Sequence, residues 1–153
     1  MEYVTNELDG TLVVVASEEN GAPEMARGDT FFFYDPDHIT LPEKRFPYAT
    51  IVVNDYPGFD EASNLKRPGV YRVNVSVSRN TFEQQTSGDD VSAIDYTVLD
   101  KVIPHPVYGS QSWLSVLNPG PVTDGTVKDL LAEAHHRARN RYERQRARRP
   151  SSG

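Results

Sequence analysis

The chain has no cysteine. That excludes disulfides, thiol nucleophiles, zinc–thiolate sites and Cys-ligated iron–sulfur clusters. It has no long apolar run either. The longest, Leu12 to Ala16, is strand-sized, far short of the roughly 20 residues a membrane-spanning helix needs. Met1-Glu2-Tyr3 carries neither a basic patch nor an apolar secretory core, so a cytosolic protein without membrane contact is expected. There is no Walker loop, no Gly-x-Gly-x-x-Gly and no Gly-x-Ser-x-Gly elbow. His135-His136 lacks the His-Glu-x-x-His spacing of a zinc protease. Adjacent helical residues point about 100° apart, so these two are expected to face solvent rather than share a metal. Asp55 and Asp60 flank a Pro-Gly turn but lack the dense alternating oxygens of a calcium loop. Asn74-Val75-Ser76 matches a glycosylation acceptor but falls inside a strand pattern. The expectation is no cofactor and no bound metal.

What is present suits one domain. At 153 residues the chain can bury a sizeable core. Eleven prolines and ten glycines imply many turns. Residues 1–149 read as a single α+β domain, with 150–153 as a frayed tail. The net charge of −6 conceals an asymmetry. Residues 137–153 hold seven arginines against Glu143, a surplus of +6, so the other 136 residues carry −12. An acidic body repels phosphate backbones, so nucleic acid is not the expected partner.

Val70 to Ser78 is the clearest strand. Tyr71, Val73, Val75 and Val77 alternate with Arg72, Asn74, Ser76 and Ser78, which puts the two sets on opposite faces. Further strands are expected at Leu12–Ala16, Thr30–Tyr34, Tyr48–Val53 and Trp113–Leu117. Short helices are expected at 2–8, 79–85 and 94–102. Thr123 N-caps a long terminal helix, with Val127, Leu130, Leu131, Ala134 and Ala138 as its apolar stripe. Strands without crossover-length helices between them point to a mainly antiparallel sheet, with helices packed on one face. Trp113, Phe32, Val73, Val75 and Leu130 are expected to share one core. Residues beyond about Arg141 are expected to be dispensable for folding.

The richest chemistry lies at Pro104-His105-Pro106-Val107-Tyr108. Each proline fixes its own φ and biases the residue before it away from helix. His105, the side-chain type that titrates near neutrality, is therefore held on a stiff segment. It is either a catalytic or ligand-orienting group, or a loop histidine hydrogen-bonded locally.

Several segments carry a family resemblance. They are Phe31–Pro36, Phe46–Val52, Ser63–Val75, Leu99-Asp100, Pro104–Tyr108 and Trp113–Pro119. Over nearly the whole chain these resemble an uncharacterised bacterial family, domain of unknown function 6194. Val73 and Lys66 stand where that pattern would have leucine and aspartate. The family brings no assigned activity or catalytic residues. More remotely, the order of strands, the late tryptophan strand and the closing helix are similar to the MmcQ/YjbR group. That similarity implies a small α+β fold with a curved antiparallel sheet, in a group whose members have been suggested to bind DNA.

Two function classes follow. The first is a small-molecule pocket around His105 and Arg72, extending to a cofactor-independent acid–base enzyme for cyclisation, elimination, isomerisation or hydrolysis of a metabolite. In it, His105 is the base or acid and Tyr108 a hydrogen-bond donor. Asp100, five residues earlier, holds the imidazole tautomer. Arg72 anchors an anion, and Asn74, Arg67, Asp55 and Trp113 complete the ligand-binding set. The second is a non-catalytic module that binds a protein or nucleic acid through the exposed sheet face or the arginine-rich helix. A second copy of the chain is a further candidate partner. Against the pocket stands a plain alternative, in which Arg67 and Arg72 pair with Asp55, Asp60 or Asp100 to hold loops on the sheet.

Overall fold

A computed structural model describes residues 8–17, 19, 27–37, 46–87 and 93–148, with side chains to residue 145. The expected helix at 2–8 and the tail at 150–153 lie outside the described residues, apart from Leu8. Four strands run as an antiparallel meander: β1 (Thr11–Val15), β2 (Thr30–Tyr34), β3 (Ala49–Val52) and β4 (Arg72–Ser76). A helix, α1 (Arg79–Thr86), leads to β5 (Ile103–Pro104) and β6 (Trp113–Leu117). β6 pairs with β4, and β5 lies outside it, giving the open order β1-β2-β3-β4-β6-β5. The two-residue β5 ends in a proline at the sheet edge, where a missing ladder donor is tolerated and further strand addition is discouraged. The chain closes with α2 (Asp124–Arg148). The fold is a single α+β domain.

Period-two alternation assigns the two sheet faces. Phe32, Val73, Val75, Leu114 and Val116 point to one face and form the main core with Val127, Leu130, Leu131 and Ala134 of α2. Phe82 of α1 packs against the same core. α1 is tied to α2 where Glu133 accepts from the Ser78 backbone N–H at 3.0 Å and from the Thr81 hydroxyl. Both helices therefore cover one side. On the opposite face Phe31, Thr50, Asn74, Ser115 and Ile103 stand in register across five strands. There Val52, Leu65, Ile103 and Leu117 make a smaller apolar cluster.

Three expectations change. Residues 94–102 are turns and not a helix. Asp95 Oδ1 accepts from the Thr97 N–H at 2.9 Å and from its hydroxyl at 2.5 Å. This is the local competition by which aspartate favours a turn over a helix. Trp113 is not in the main core; it lies on the face away from α2, opposite Ser76 of β4. His135 is only partly exposed. Its ring packs edge-on to Tyr34 and Tyr48, at centroid distances of 5.4 and 5.8 Å, and its Nε2 donates to the Asp9 carbonyl at 2.5 Å.

Candidate functional site

The sheet face opposite the main core carries a cavity of about 640 Å³, within the usual range for small-molecule sites. Its floor is β4, where Arg72, Asn74 and Ser76 project inward. Phe31, Thr50 and Val52 flank them from the neighbouring strands. The turn Tyr56-Pro57-Gly58-Phe59 supplies one wall. Phe59 N donates to the Tyr56 carbonyl at 2.9 Å, and Gly58 has φ +75°. Proline then glycine is the pattern of a type II turn, whose third residue needs positive φ. Asp29, wholly buried, pins this segment by accepting from Val53 N, Asn54 Nδ2 and the Tyr56 hydroxyl. Burial pushes the Asp29 carboxyl above its usual range, and burial together with Asp29 raises the Tyr56 phenol.

Arg72 is 1% exposed, with four of its five N–H groups engaged and one on Nη2 left over among the described residues. Nε donates to Asn74 Oδ1 at 2.8 Å, and Nη1 donates to Asp60 Oδ1 and Ser63 Oγ, both at 3.0 Å. Nη2 donates to Asp60 Oδ2 at 2.5 Å. Asn74 in turn accepts from Ser115 Oγ and donates to Thr50 Oγ1. A buried guanidinium needs such a partner set, because an unpaired buried charge is strongly unfavourable. The expected anion anchor is therefore already neutralised by a carboxylate of this chain.

His105 is 6% exposed. The Pro-His-Pro segment curls back on its own ring. Nδ1 accepts from the backbone N–H groups of Val107 and Tyr108, both at 3.0 Å. With its lone pair on Nδ1 taken, the neutral imidazole carries its proton on Nε2. Nε2 lies 3.4 Å from Arg72 Nη2. Both atoms are donors, so this is a side-by-side placement and not a hydrogen bond. Asp60 Oδ2 is 3.9 Å away, too far to accept. Burial first, and then the Arg72 charge, depress the imidazole pKa to about 4, against an opposing pull from Asp60. His105 at neutral pH is a buried neutral N–H donor.

The sequence-derived set divides. Arg72, Asn74, His105, Tyr108 and Trp113 line the cavity. Tyr108 sits at the mouth, its ring 5.0 Å from His105 and 6.1 Å from Phe59. Asp100 does not hold the imidazole. It accepts from the N–H groups of Gly120, Val122 and Thr123 and from the Thr123 hydroxyl, at 2.5–3.1 Å, so it caps the entry to α2. Those donors hold its carboxyl at a pKa of about 2. The Thr123 hydroxyl thus serves Asp100 instead of capping the helix itself. Arg67 donates to the carbonyls of Asn64, Ser63 and Thr97, and Asp55 accepts from Leu65 N, so both fasten loops. The sequence reading did not place Phe31, Tyr56 or Phe59 in the site, nor Arg137 and Arg141 of α2, which also line the cavity. Among the described residues no group of three or more His, Asp or Glu side chains could hold a metal.

Fold and cavity together define an α+β protein with an open antiparallel sheet, helices on one face and an aromatic-walled cavity on the other. The chain belongs to the family of unknown function DUF6194, whose model matches residues 1–147. No curated protein and no solved structure matches the chain. No helix among the described residues is long and apolar enough to cross a membrane.

Proposed function

We propose that this chain binds a small organic molecule in the cavity, with a hydrogen-bond acceptor of the ligand at the buried end against His105. One observation carries the reading. A buried imidazole N–H, with no acceptor in reach among the described residues, borders a space of about 640 Å³ with aromatic walls. A buried donor favours an acceptor. His105 Nε2 and Arg72 Nη2, 3.4 Å apart, form a pair of donors that one ligand oxygen can satisfy together.

Catalysis is a narrower form of the same proposal. With Nδ1 occupied, His105 acts as an N–H donor that polarises a carbonyl, not as a base. Tyr108 orients the ligand at the mouth.

Trp113, the only tryptophan, lines the cavity and reports its occupancy. A metabolite library screened by Trp113 fluorescence and thermal shift should yield compounds that change both signals. Binding should be lost in Ser76→Phe, which fills the floor while leaving the sheet paired. Hits whose affinity survives Ser76→Phe, or a library that moves neither signal, would refute a cavity ligand.

A further inference from the structure

We infer that the cavity selects organic anions: an apolar or aromatic body inside, and a carboxylate, sulfonate or phosphate at the mouth on Arg137 and Arg141. This rests on the proposed cavity ligand and adds its charge and orientation.

Leu130 and Ala134 lie on the face of α2 that packs into the core. Steps of three and four residues carry that face on to Arg137 and Arg141. As the helix runs past the core, the same side presents two guanidinium groups. Both line the cavity. Arg137 is partly buried and Arg141 exposed, so long apolar stems lie along the protein while the heads reach water. Arg139, on another face, bonds Glu143. Arg137 and Arg141 form no ion pair among the described residues.

Charge in the cavity points the same way. Arg72 and Asp60 cancel within it. The imidazole is neutral, with its pKa near 4. Among the described lining residues two positive charges then remain, both at the α2 end, in a chain whose net charge is −6. A local positive surplus in an acidic protein repels cations at the mouth and concentrates anions there. Two guanidinium forks one helical turn apart suit the oxygens of one anionic group. Phe31, Tyr56, Phe59 and Trp113 give the ligand body apolar contact, which favours an amphipathic anion over a bare inorganic one.

The test uses two fluorescent probes with the same ring system: anilinonaphthalene sulfonate, an anion, and phenylnaphthylamine, which is neutral. Binding is read by energy transfer from Trp113. The intact protein should bind the anion more tightly, and added salt should narrow the gap. Arg137→Gln/Arg141→Gln should weaken the anionic probe about tenfold and the neutral probe less than twofold. The melting temperature checks that this variant is folded. Equal affinity for both probes, or an anion affinity unmoved by the double substitution, would overturn the inference while leaving the cavity ligand standing. Failure of both probes to bind the intact protein would overturn both readings.

Discussion

Arg72 grips Asp60 with both terminal nitrogens, at 3.0 and 2.5 Å, and the pair is buried at the base of the cavity. Removing one partner strands the other. Asp60→Ala should cost about 3–5 kcal/mol of folding stability, the usual range for a broken buried pair. Replacing both at once, Arg72→Met with Asp60→Leu, leaves no orphan charge and should recover at least half of that loss. Asn74 keeps its bonds to Ser115 and Thr50 in either case. Urea denaturation of the three proteins decides the matter. A loss below about 1 kcal/mol in Asp60→Ala would mean that the guanidinium finds water or another acceptor.

His105 makes stability depend on pH in a definite direction. Its folded pKa of about 4 lies below the ordinary 6.5. Above pH 6.5 the ring is neutral in both folded and unfolded chains, and the contribution is fully present. As pH falls from 6.5 toward 4, the unfolded chain takes up a proton that the folded one refuses, so stability drops. Below about 4 the loss levels off, at about 3 kcal/mol in total. The raised carboxyl of Asp29 acts in the opposite sense at acid pH, so the comparison must be with a variant. His105→Asn keeps an acceptor near the Nδ1 position and cannot titrate. The stability difference between the two proteins should shrink or invert between pH 6.5 and 4 and be flat above 7. Long-range proton–nitrogen correlation spectra should show the proton on Nε2 at pH 7. A proton on Nδ1 would contradict the hydrogen bonds from Val107 and Tyr108.

The sheet was legible in the sequence where alternation was strong. Val73 and Val75 against Arg72 and Asn74 give the two faces of β4 without any knowledge of its neighbours. The stiff Pro104-His105-Pro106 segment points to a loop that lines the cavity. What was illegible depends on contacts between distant residues. Asp100 is five residues from His105 in sequence, yet the left-handed turn at Asp100, φ +53°, aims its carboxylate at the start of α2. Asp60 meets Arg72 only after the Tyr56–Asp60 turn folds over β4. Trp113 looked like core because it belongs to an apolar strand, but Leu114 and Val116 are the residues of that strand in the main core. In the sequence Arg137 and Arg141 belong to a charged end. Their spacing of four was visible in the sequence, but the cavity beside them was not.

Tyr142 sets how far α2 belongs to the folded body. Its ring packs edge-on to Tyr34 of β2 at 5.3 Å, and its hydroxyl donates to Asp37 Oδ2 at 2.5 Å. These contacts count against the expectation that everything beyond about Arg141 is dispensable for folding. Tyr142 sits next to Arg141, so the contact that holds the ring on the sheet also holds the helix end over the cavity mouth. Tyr142→Ala should cost about 1–2 kcal/mol, from the ring pair and the hydroxyl bond together. Tyr142→Phe keeps the ring and should cost less than half as much. If the helix end orients Arg141, Tyr142→Ala should also weaken the anionic probe severalfold, whereas Tyr142→Phe should leave it nearly unchanged. Calorimetry and the two-probe titration measure the two effects separately. Lost stability with full anion affinity would show that Tyr142 anchors the helix but that Arg141 reaches its ligand without that anchor.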